Sequence, residues 1–343
     1  MTVGALPSAG PAVAAAATSV LLSEPLRRLA LRSGLVDCPG VRKAHRRPTP
    51  YLGGVAIAVA TLLPACLLLR DPQPGLLVMA AAAVAVCVLG LADDVRPLSP
   101  LLRLAAEAGA ASLVVSVGAR LAFFGNALDG ATSVLFIVLL TNAFNLLDNM
   151  DGVAAAVGAG TSASLAAGAA LTGRGDLAVL LSALSAGCAG FLFHNWAPAR
   201  IFMGDAGSLF IGFVIATATL TVLRPYPAVA AGTASWLVGF VPVVDTAVVM
   251  VSRRRARRPL LKGGTDHLSH RLRVMGLSGP QIALVLFAAA TSTSLTGVLV
   301  ARGALPPWGL LPLGAASAIG LILFAQRISV YPQGCEPRSA SSS

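Results

Sequence analysis

Residues 131–152 read ATSVLFIVLLTNAFNLLDNMDG, an apolar run that ends in amides and carboxylates. The apolar part has the composition of a membrane-spanning helix, which needs about 20 such residues. On a helix, one face carries polar side chains at i, i+3 and i+7 spacing: Asn142, Asn145 and Asn149, followed by Asp148 and Asp151. A polar face is costly against lipid, so we expect it to face protein or a wet cavity. Interhelical hydrogen bonding without catalysis is the simpler alternative.

The whole chain has the composition of an integral membrane protein. Its 343 residues are 56% hydrophobic and 11% charged, with a mean hydropathy of +0.81, which excludes an ordinary soluble domain. We predict an all-α polytopic fold with about eleven transmembrane helices. A single membrane domain should cover residues 1–332, with a disordered tail at 333–343 and the first stretch retained as an uncleaved anchor. The stretches, with approximate ends, are 5–26, 51–69, 75–92, 101–118, 131–147, 152–173, 176–194, 207–223, 228–250, 280–300 and 306–326.

The basic residues predict the orientation of these spans. If alternate loops fall on opposite sides, one side receives a single arginine per loop: Arg70, Arg120, Arg174, Arg224 and Arg302. Every other lysine and arginine falls on the opposite side, which the positive-inside rule makes cytoplasmic. The N-terminus is then outside and the C-terminus inside, in a multi-pass protein of the plasma (inner) membrane.

Four acidic clusters fall on the predicted cytoplasmic side: Asp93 with Asp94, Asp148 with Asp151, Asp205 in a glycine-flanked run, and Asp266 beside His267 and His270. Carboxylates that converge near lipid indicate a metal ion and a phosphate-rich substrate. The adjacent pair Asp93 and Asp94 suits a cation site or a general base, and a solvated helix end is the alternative.

Two further loops on that side carry candidate substrate contacts. The proline-rich segment 37–54 is basic, and its Lys43 is a candidate phosphate ligand, although such a loop can also serve topology alone. His267 and His270 share a face if they are helical. No Cys or third His lies nearby, so substrate contact is favoured over zinc.

Together these segments resemble the polyprenyl-phosphate N-acetylhexosamine-1-phosphate transferase family. Its pattern has an Arg-Lys-x-His loop, an Asp-Asp pair, an Asn-x-x-Asn-x-x-Asp-Gly-x-Asp-Gly block, a Gly-Asp-x-Gly-Ser block and a His-x-His-His loop. All five occur here in order across about residues 37–272. Asn149 replaces the first Gly of the third block, and Ser269 replaces the middle His of the last.

The resemblance implies transfer of N-acetylglucosamine 1-phosphate from UDP-N-acetylglucosamine to a polyprenyl phosphate at the cytoplasmic face. The products would be UMP and a lipid diphospho-sugar that starts a cell-envelope polysaccharide. The alternative within the family is the phospho-N-acetylmuramoyl-pentapeptide transferase branch. It is disfavoured because Arg271 and Leu272 follow the last histidine here, where that branch usually has an acidic residue. A membrane transporter is the alternative from another class, no nucleic-acid partner is expected, and a homodimer stays open.

The resemblance also assigns roles to residues. Mg²⁺, or Mn²⁺ in its place, would be held mainly by Asp205, with Asp94 and Asp148 as candidate further ligands. Asp93 would deprotonate or orient the lipid phosphate with help from Asp94, which makes Asp93, Asp94 and Asp205 the expected catalytic group. Expected substrate-binding residues are Lys43, Asn145, Asp148, Asp151, Asn195, His267, His270 and Arg271.

Overall fold

The computed structural model describes residues 9–37, 48–69, 71–259 and 264–330. In these ranges the regular elements are helices, apart from one short two-stranded antiparallel ribbon. This confirms the predicted all-α fold. Lys43 and the tail at 333–343 lie outside the described residues. The elements are α1 Ala9–Arg32, β1 Val36–Asp37, β2 Thr49–Pro50, α2 Gly53–Leu68, α3 Pro74–Val95, α4 Pro100–Ser116, α5 Leu128–Leu147, α6 Val153–Leu171, α7 Gly175–Asn195, α8 Gly204–Leu223, α9 Ala228–Val238, α10 Phe240–Arg255, α11 Leu268–Val274, α12 Gly279–Ala301 and α13 Pro307–Ala325.

The helices confirm a polytopic membrane protein. Seven of those in the described ranges are long and apolar enough to cross a bilayer: α3, α5, α6, α7, α8, α12 and α13. Helices α9 and α10, bent by 65° at Gly239, together make an eighth. Every one of the eleven predicted stretches corresponds to a helix or to this bent pair. Three of the corresponding helices, α1, α2 and α4, are too short or not apolar enough to count among the spanning helices.

Helix α8 lies at the centre of the bundle. Its most apolar window is 94% buried inside the protein, whereas the corresponding window of α13 is only 17% buried. The outer helices expose large apolar side chains, among them Leu67 at 73% and Leu313 at 60%. An exposed apolar surface of this kind faces the hydrocarbon in a membrane protein. The central position of α8 therefore makes its N-terminal end a shared point of contact for several helices.

Glycines allow the N-terminal end of α8 to touch two neighbouring helices. A Cβ atom on Gly54 of α2 would lie 2.1 Å from the amide nitrogen of Gly207, and one on Gly90 of α3 would lie 2.5 Å from the carbonyl oxygen of Asp205. The amide of Gly54 also donates to the carbonyl of Met203 at 2.9 Å. Small residues permit such backbone approach between membrane helices. The contact fixes the position of Asp205.

The predicted site residues meet at one end of the bundle, where α3, α5, α7 and α10 end and α2 and α8 begin. We call it the polar end and define it by Asp93, Asp148, Asn195 and Asp205, which line one cavity. The ribbon residues Val36 and Asp37 and the short helix α11 complete its wall. Chain direction alternates from helix to helix, and for this reason acids far apart in sequence reach the same end.

The glycine contact predicts a sharp steric cost. In Gly54→Ala the new methyl group meets backbone atoms of α8 that cannot rotate away, so we expect overpacking of roughly 1–3 kcal/mol and a lower unfolding temperature. The measurement is thermal unfolding of the detergent-solubilised protein.

Gly320→Ala is the matched control, because a Cβ at Gly320 of α13 meets nothing within 4 Å. Its unfolding temperature should stay at or slightly above that of the wild type. Equal unfolding temperatures for the two variants would contradict the contact.

Candidate active site

A cavity of about 830 Å³ opens at the polar end. Its volume lies in the range of small-molecule sites. It brings together nine of the residues selected from the sequence: Asp93, Asp94, Asn145, Asp148, Asp151, Asn195, Asp205, His267 and His270. They come from α3, α5, the α5–α6 turn, α7, α8, the segment that leads into α11 and α11 itself, so the fold assembles the site from distant parts of the chain.

One arginine connects acidic residues on two helices with amide groups on a third. The Nη1 atom of Arg103 donates to Asp93 Oδ2 at 2.8 Å and to Asp205 Oδ2 at 2.9 Å. Its Nη2 atom donates to the amide oxygens of Asn142 at 3.4 Å and Asn145 at 3.3 Å. A single guanidinium thus offsets the repulsion between two carboxylates and orients the amide face of α5.

Sequence reasoning missed Arg103 as a site residue, because it counted this side chain only towards topology. A readable signal existed: Arg103 and Glu107 are i, i+4 neighbours on an apolar helix directly after the Asp-Asp pair. In the structure the two form an ion pair at 3.7 Å, and Glu107, 1% exposed, also accepts a hydrogen bond from the amide of Asn142. The polar network therefore extends inward from the cavity along α4 and α5.

Asp94 caps the central helix. Its Oδ1 accepts from the amide of Asp205 at 2.9 Å and its Oδ2 from the amide of Ala206 at 3.1 Å. A carboxylate is favoured there by the helix dipole and the unpaired first-turn amides. Gly204 has a φ of +67°, and a Cβ on it would lie 2.5 Å from Asp94 Oδ2, so glycine suits this turn. Asp94 thereby positions Asp205.

Asp205 presents its carboxylate to the cavity. Its Oδ1 accepts from Asn145 Nδ2 at 2.8 Å, and the same amide nitrogen donates to Ser208 Oγ at 3.0 Å. The side chain is 31% exposed, compared with 12% for Asp93. Each carboxylate oxygen has a second lone pair, so these bonds leave Asp205 able to accept a further ligand.

Asp148 lies at the C-terminal end of α5 and lines the cavity. In the described part of the chain its carboxyl group has no hydrogen-bond or ion-pair partner. Burial, together with the negative charges of Asp205, Asp94 and Asp151, raises the pKa of Asp148 to about 8. Such a crowded carboxyl group is stabilised in its charged form by a cation.

The donors fit a divalent cation that binds through few protein ligands. Among the described residues, no three His, Cys, Asp or Glu side chains stand close enough to form a complete cage. Magnesium usually keeps several waters and takes one or two carboxylates together with substrate phosphates. Asp205 and Asp148 meet that requirement. Zinc does not fit, because structural zinc sites are completed by four nitrogen or sulfur ligands from the protein.

Asp151 and Asn195 hold the α5–α6 turn against the segment between α7 and α8. Asp151 Oδ2 accepts from the amide of Ala199 at 2.9 Å. Asn195 accepts from the amide of Gly152 at 3.0 Å and donates to the carbonyl of Ile201 at 2.9 Å. Asn195 is 3% exposed, so it borders the cavity while its amide group serves the backbone.

The histidine segment is anchored to α10 by two acidic groups. Asp245 Oδ2 lies 2.8 Å from His267 Nδ1, and its Oδ1 accepts from the amide of Leu268 at 2.7 Å. Arg253 Nε donates to Asp266 Oδ2 at 2.6 Å, with both side chains 2% exposed. Asp266 is thus engaged in a buried ion pair, and Asp245 orients His267.

His270 is held in its neutral form. Burial lowers the pKa of His270 to about 4, and the positive charges of His267 and Arg273 act in the same direction. At physiological pH the ring can exchange hydrogen bonds with a substrate but contributes no charge.

Arg271 is the predicted site residue that the structure places elsewhere. It is 2% exposed and does not line the cavity. Its guanidinium donates to the hydroxyl of Ser252 and to the carbonyl of Ala325, which ties α11 to the end of α13. Arg273 lines the cavity instead, because residues two apart on a helix point in nearly opposite directions.

The chain is similar to several known proteins. Residues 76–223 match the family described as glycosyl transferase family 4, a range that contains every acidic cluster except the one in the histidine segment. A protein of Streptomyces coelicolor named as a glycosyltransferase is 39% identical over 91% of this chain and 74% of its own length.

Two relatives with more specific names mark the two branches. The decaprenyl-phosphate N-acetylglucosaminephosphotransferase of Mycobacterium tuberculosis is 32% identical over 80% of this chain and 77% of its own. The phospho-N-acetylmuramoyl-pentapeptide-transferase of Moorella thermoacetica is 30% identical over 84% and 96%.

The lowered pKa of His270 predicts a loss of stability in acid. Below the unfolded value of 6.5 the unfolded chain takes up a proton that the folded protein accepts only near pH 4. The unfolding temperature should therefore fall as the pH is lowered from about 7 to about 5, and fall less in His270→Gln. Thermal unfolding at the two pH values measures this difference.

His194→Gln is the control, since His194 bonds the carbonyl of Val20 on α1 and not α11. A wild-type acid slope in His270→Gln would show that His270 does not carry the effect.

Proposed function

Because the chain belongs to glycosyl transferase family 4, the polyprenyl-phosphate N-acetylhexosamine-1-phosphate transferases, we propose that it transfers N-acetylglucosamine 1-phosphate from UDP-N-acetylglucosamine to a polyprenyl phosphate. The observation that carries the proposal is the single cavity in which Asp205 and Asp148 face His267 and His270. Acidic groups suited to a cation and histidines suited to a sugar diphosphate meet there. The products are UMP and polyprenyl-diphospho-N-acetylglucosamine, which starts a cell-envelope polysaccharide.

The polar end faces the cytoplasm in this proposal. Arg253, Arg254 and Arg255 end α10 at the cavity, in line with the positive-inside rule. Nucleotide sugars are cytoplasmic, whereas the lipid acceptor lies in the inner membrane. A site at the ends of the helices lets a water-soluble donor meet a lipid-soluble acceptor without burying either phosphate at the bilayer centre.

The acceptor side of the cavity is the α3–α4 turn. Asp93 there accepts from the amide of Leu98 at 2.6 Å and from Arg103, which fixes its carboxylate. The adjoining apolar side chains Leu101 and Leu102 are 78% and 55% exposed, a surface suited to a polyprenyl tail. Asp93 then orients the lipid phosphate, or removes its last proton, beside Arg103.

The donor side is formed by the α5–α6 turn and α11. Asn145, Asp148 and Asp151 border the nucleotide, and His267, His270 and Arg273 border the sugar diphosphate. Lys43, in the basic loop outside the described residues, is proposed to hold a phosphate. The neutral ring of His270 donates or accepts hydrogen bonds without repelling Arg273.

The reaction is a phosphoryl-group displacement. A lipid-phosphate oxygen attacks the phosphorus that carries the sugar, the bond from that phosphorus to the bridging oxygen breaks, and UMP leaves with the electron pair. Asp205 and Asp148 are proposed to hold Mg²⁺, or Mn²⁺ in its place, which neutralises diphosphate charge. Asp94 keeps Asp205 in place through the amides of α8, so we assign it positioning and not direct cation binding.

The first test is which nucleotide-sugar donor the protein prefers. With polyprenyl phosphate and Mg²⁺, the purified protein should release UMP from UDP-N-acetylglucosamine with a kcat/KM at least about tenfold above that for UDP-N-acetylmuramoyl-pentapeptide. A preference for the pentapeptide donor would support the other branch, and donor flux across vesicles without UMP release would support a transporter.

The cation assignment is tested by Asp205→Asn, which keeps the shape of the side chain and removes its charge. Turnover should fall by about two orders of magnitude or more while the protein still folds. Chelation of divalent cations should likewise stop the wild type, and added Mg²⁺ should restore it.

Asp71→Asn is the matched control, because Asp71 is exposed on the loop between α2 and α3 at the far end of the bundle. Near-normal turnover in Asp205→Asn would refute the assignment.

A further inference from the structure

The two positions that depart from the family pattern contact each other. Ser269 Oγ donates a hydrogen bond to Asn149 Oδ1, although the two residues are 120 positions apart. Asn149 lies in the α5–α6 turn on the cavity wall, and Ser269 lies in α11 and is 1% exposed. Two departures found separately in the sequence thus form one pair in the fold.

The side-chain amide of Asn149 forms hydrogen bonds through both its nitrogen and its oxygen. Its Nδ2 atom donates to the carbonyls of Leu146 and Leu147, both at 3.1 Å, which satisfies the end of α5. Its Oδ1 accepts from Ser269, and its backbone also bonds His270. Asn149 therefore joins the turn that carries Asp148 to the helix that carries the cavity-lining histidine.

The side chains at these two positions also differ from the family pattern by equal and opposite changes in size. The family pattern has Gly and His at these two positions, and this chain has Asn and Ser. Asn exceeds Gly by as many side-chain heavy atoms as His exceeds Ser, so the double replacement conserves the filled volume. Replacement of one member alone leaves either too much or too little side-chain volume at this partly buried contact, which is destabilising. Changes that conserve the total volume are tolerated better.

We propose that Asn149 and Ser269 act as one positioning pair that holds α11 against the α5–α6 turn and thereby sets the affinity for the nucleotide-sugar donor. The pair fixes the distance between Asp148 on one wall and His270 on the other. The role in donor affinity rests on the proposed function; the coupling between the two side chains does not.

The test is a double-mutant cycle with Asn149→Gly, Ser269→His and the two combined. Each single variant should raise the KM for UDP-N-acetylglucosamine about tenfold and leave kcat and the KM for lipid phosphate within about threefold. The double variant should return the donor KM to within about threefold of the wild type. Asn126→Gly, an exposed position on the loop before α5, is the control and should change none of these constants.

The unfolding temperature is recorded for the same four proteins, since it needs no turnover. Ser269→Ala, which removes only the hydroxyl group, replaces Ser269→His if that variant does not fold, and its donor KM should rise about threefold. Additive changes in both donor KM and unfolding temperature would overturn the pair. Coupled unfolding temperatures with an unchanged donor KM would overturn its role in donor binding. Failure of the wild type to release UMP would instead overturn the proposed function, and the unfolding cycle would still decide the coupling.

Discussion

The guanidinium of Arg103, shared between carboxylates on α3 and α8, is the interaction on which the polar end depends. Asp93 and Asp205 approach the same Nη1 atom at 2.8 and 2.9 Å. Without a cation between them, two carboxylates at that spacing would repel each other, and the partly desolvated setting would strengthen the repulsion. The glycine contacts of α8 bring the helices close enough for the bridge. The cap by Asp94 then fixes the first turn of α8, so that packing and charge support the same geometry.

The acids at this end also differ in the partners that balance their charge. Asp94, Asp151, Asp245 and Asp266 accept hydrogen bonds from backbone amides or ion-pair with other elements. Asp148 has no such partner among the described residues, and its pKa is raised to about 8. A carboxyl group that has no partner and is surrounded by other acids destabilises a folded protein. A bound cation offsets this destabilisation. The acids that looked alike in the sequence therefore divide by their partners.

Much of this arrangement could be predicted from the sequence, because span length and the alternation of loops are set by the bilayer. Acids that end apolar runs, such as Asp93 and Asp148, had to lie at a membrane interface. The partners of each side chain could not be predicted, since they depend on how helices rotate and pack. Arg103 was indistinguishable from an arginine that sets topology, and Arg271 was indistinguishable from Arg273 until α11 showed which one faces the cavity. One partner of Asn195, the amide of Gly152, likewise lies in a segment that only the fold brings near.

Helix α11 is anchored both by charged groups and by a neutral hydrogen bond between Ser269 and Asn149. Charged groups hold the segment just before α11, among them the buried pair of Arg253 and Asp266. Removal of one partner of such a pair costs about 3–5 kcal/mol because a buried charge is left alone. On its inner side the link to the α5–α6 turn is a neutral hydrogen bond, typically worth about 0.5–1.5 kcal/mol. The inner link can therefore change without unfolding the protein, provided that both members change together. That link joins the cavity-lining Asn149 to the helix that carries His270, so its change reaches the substrate.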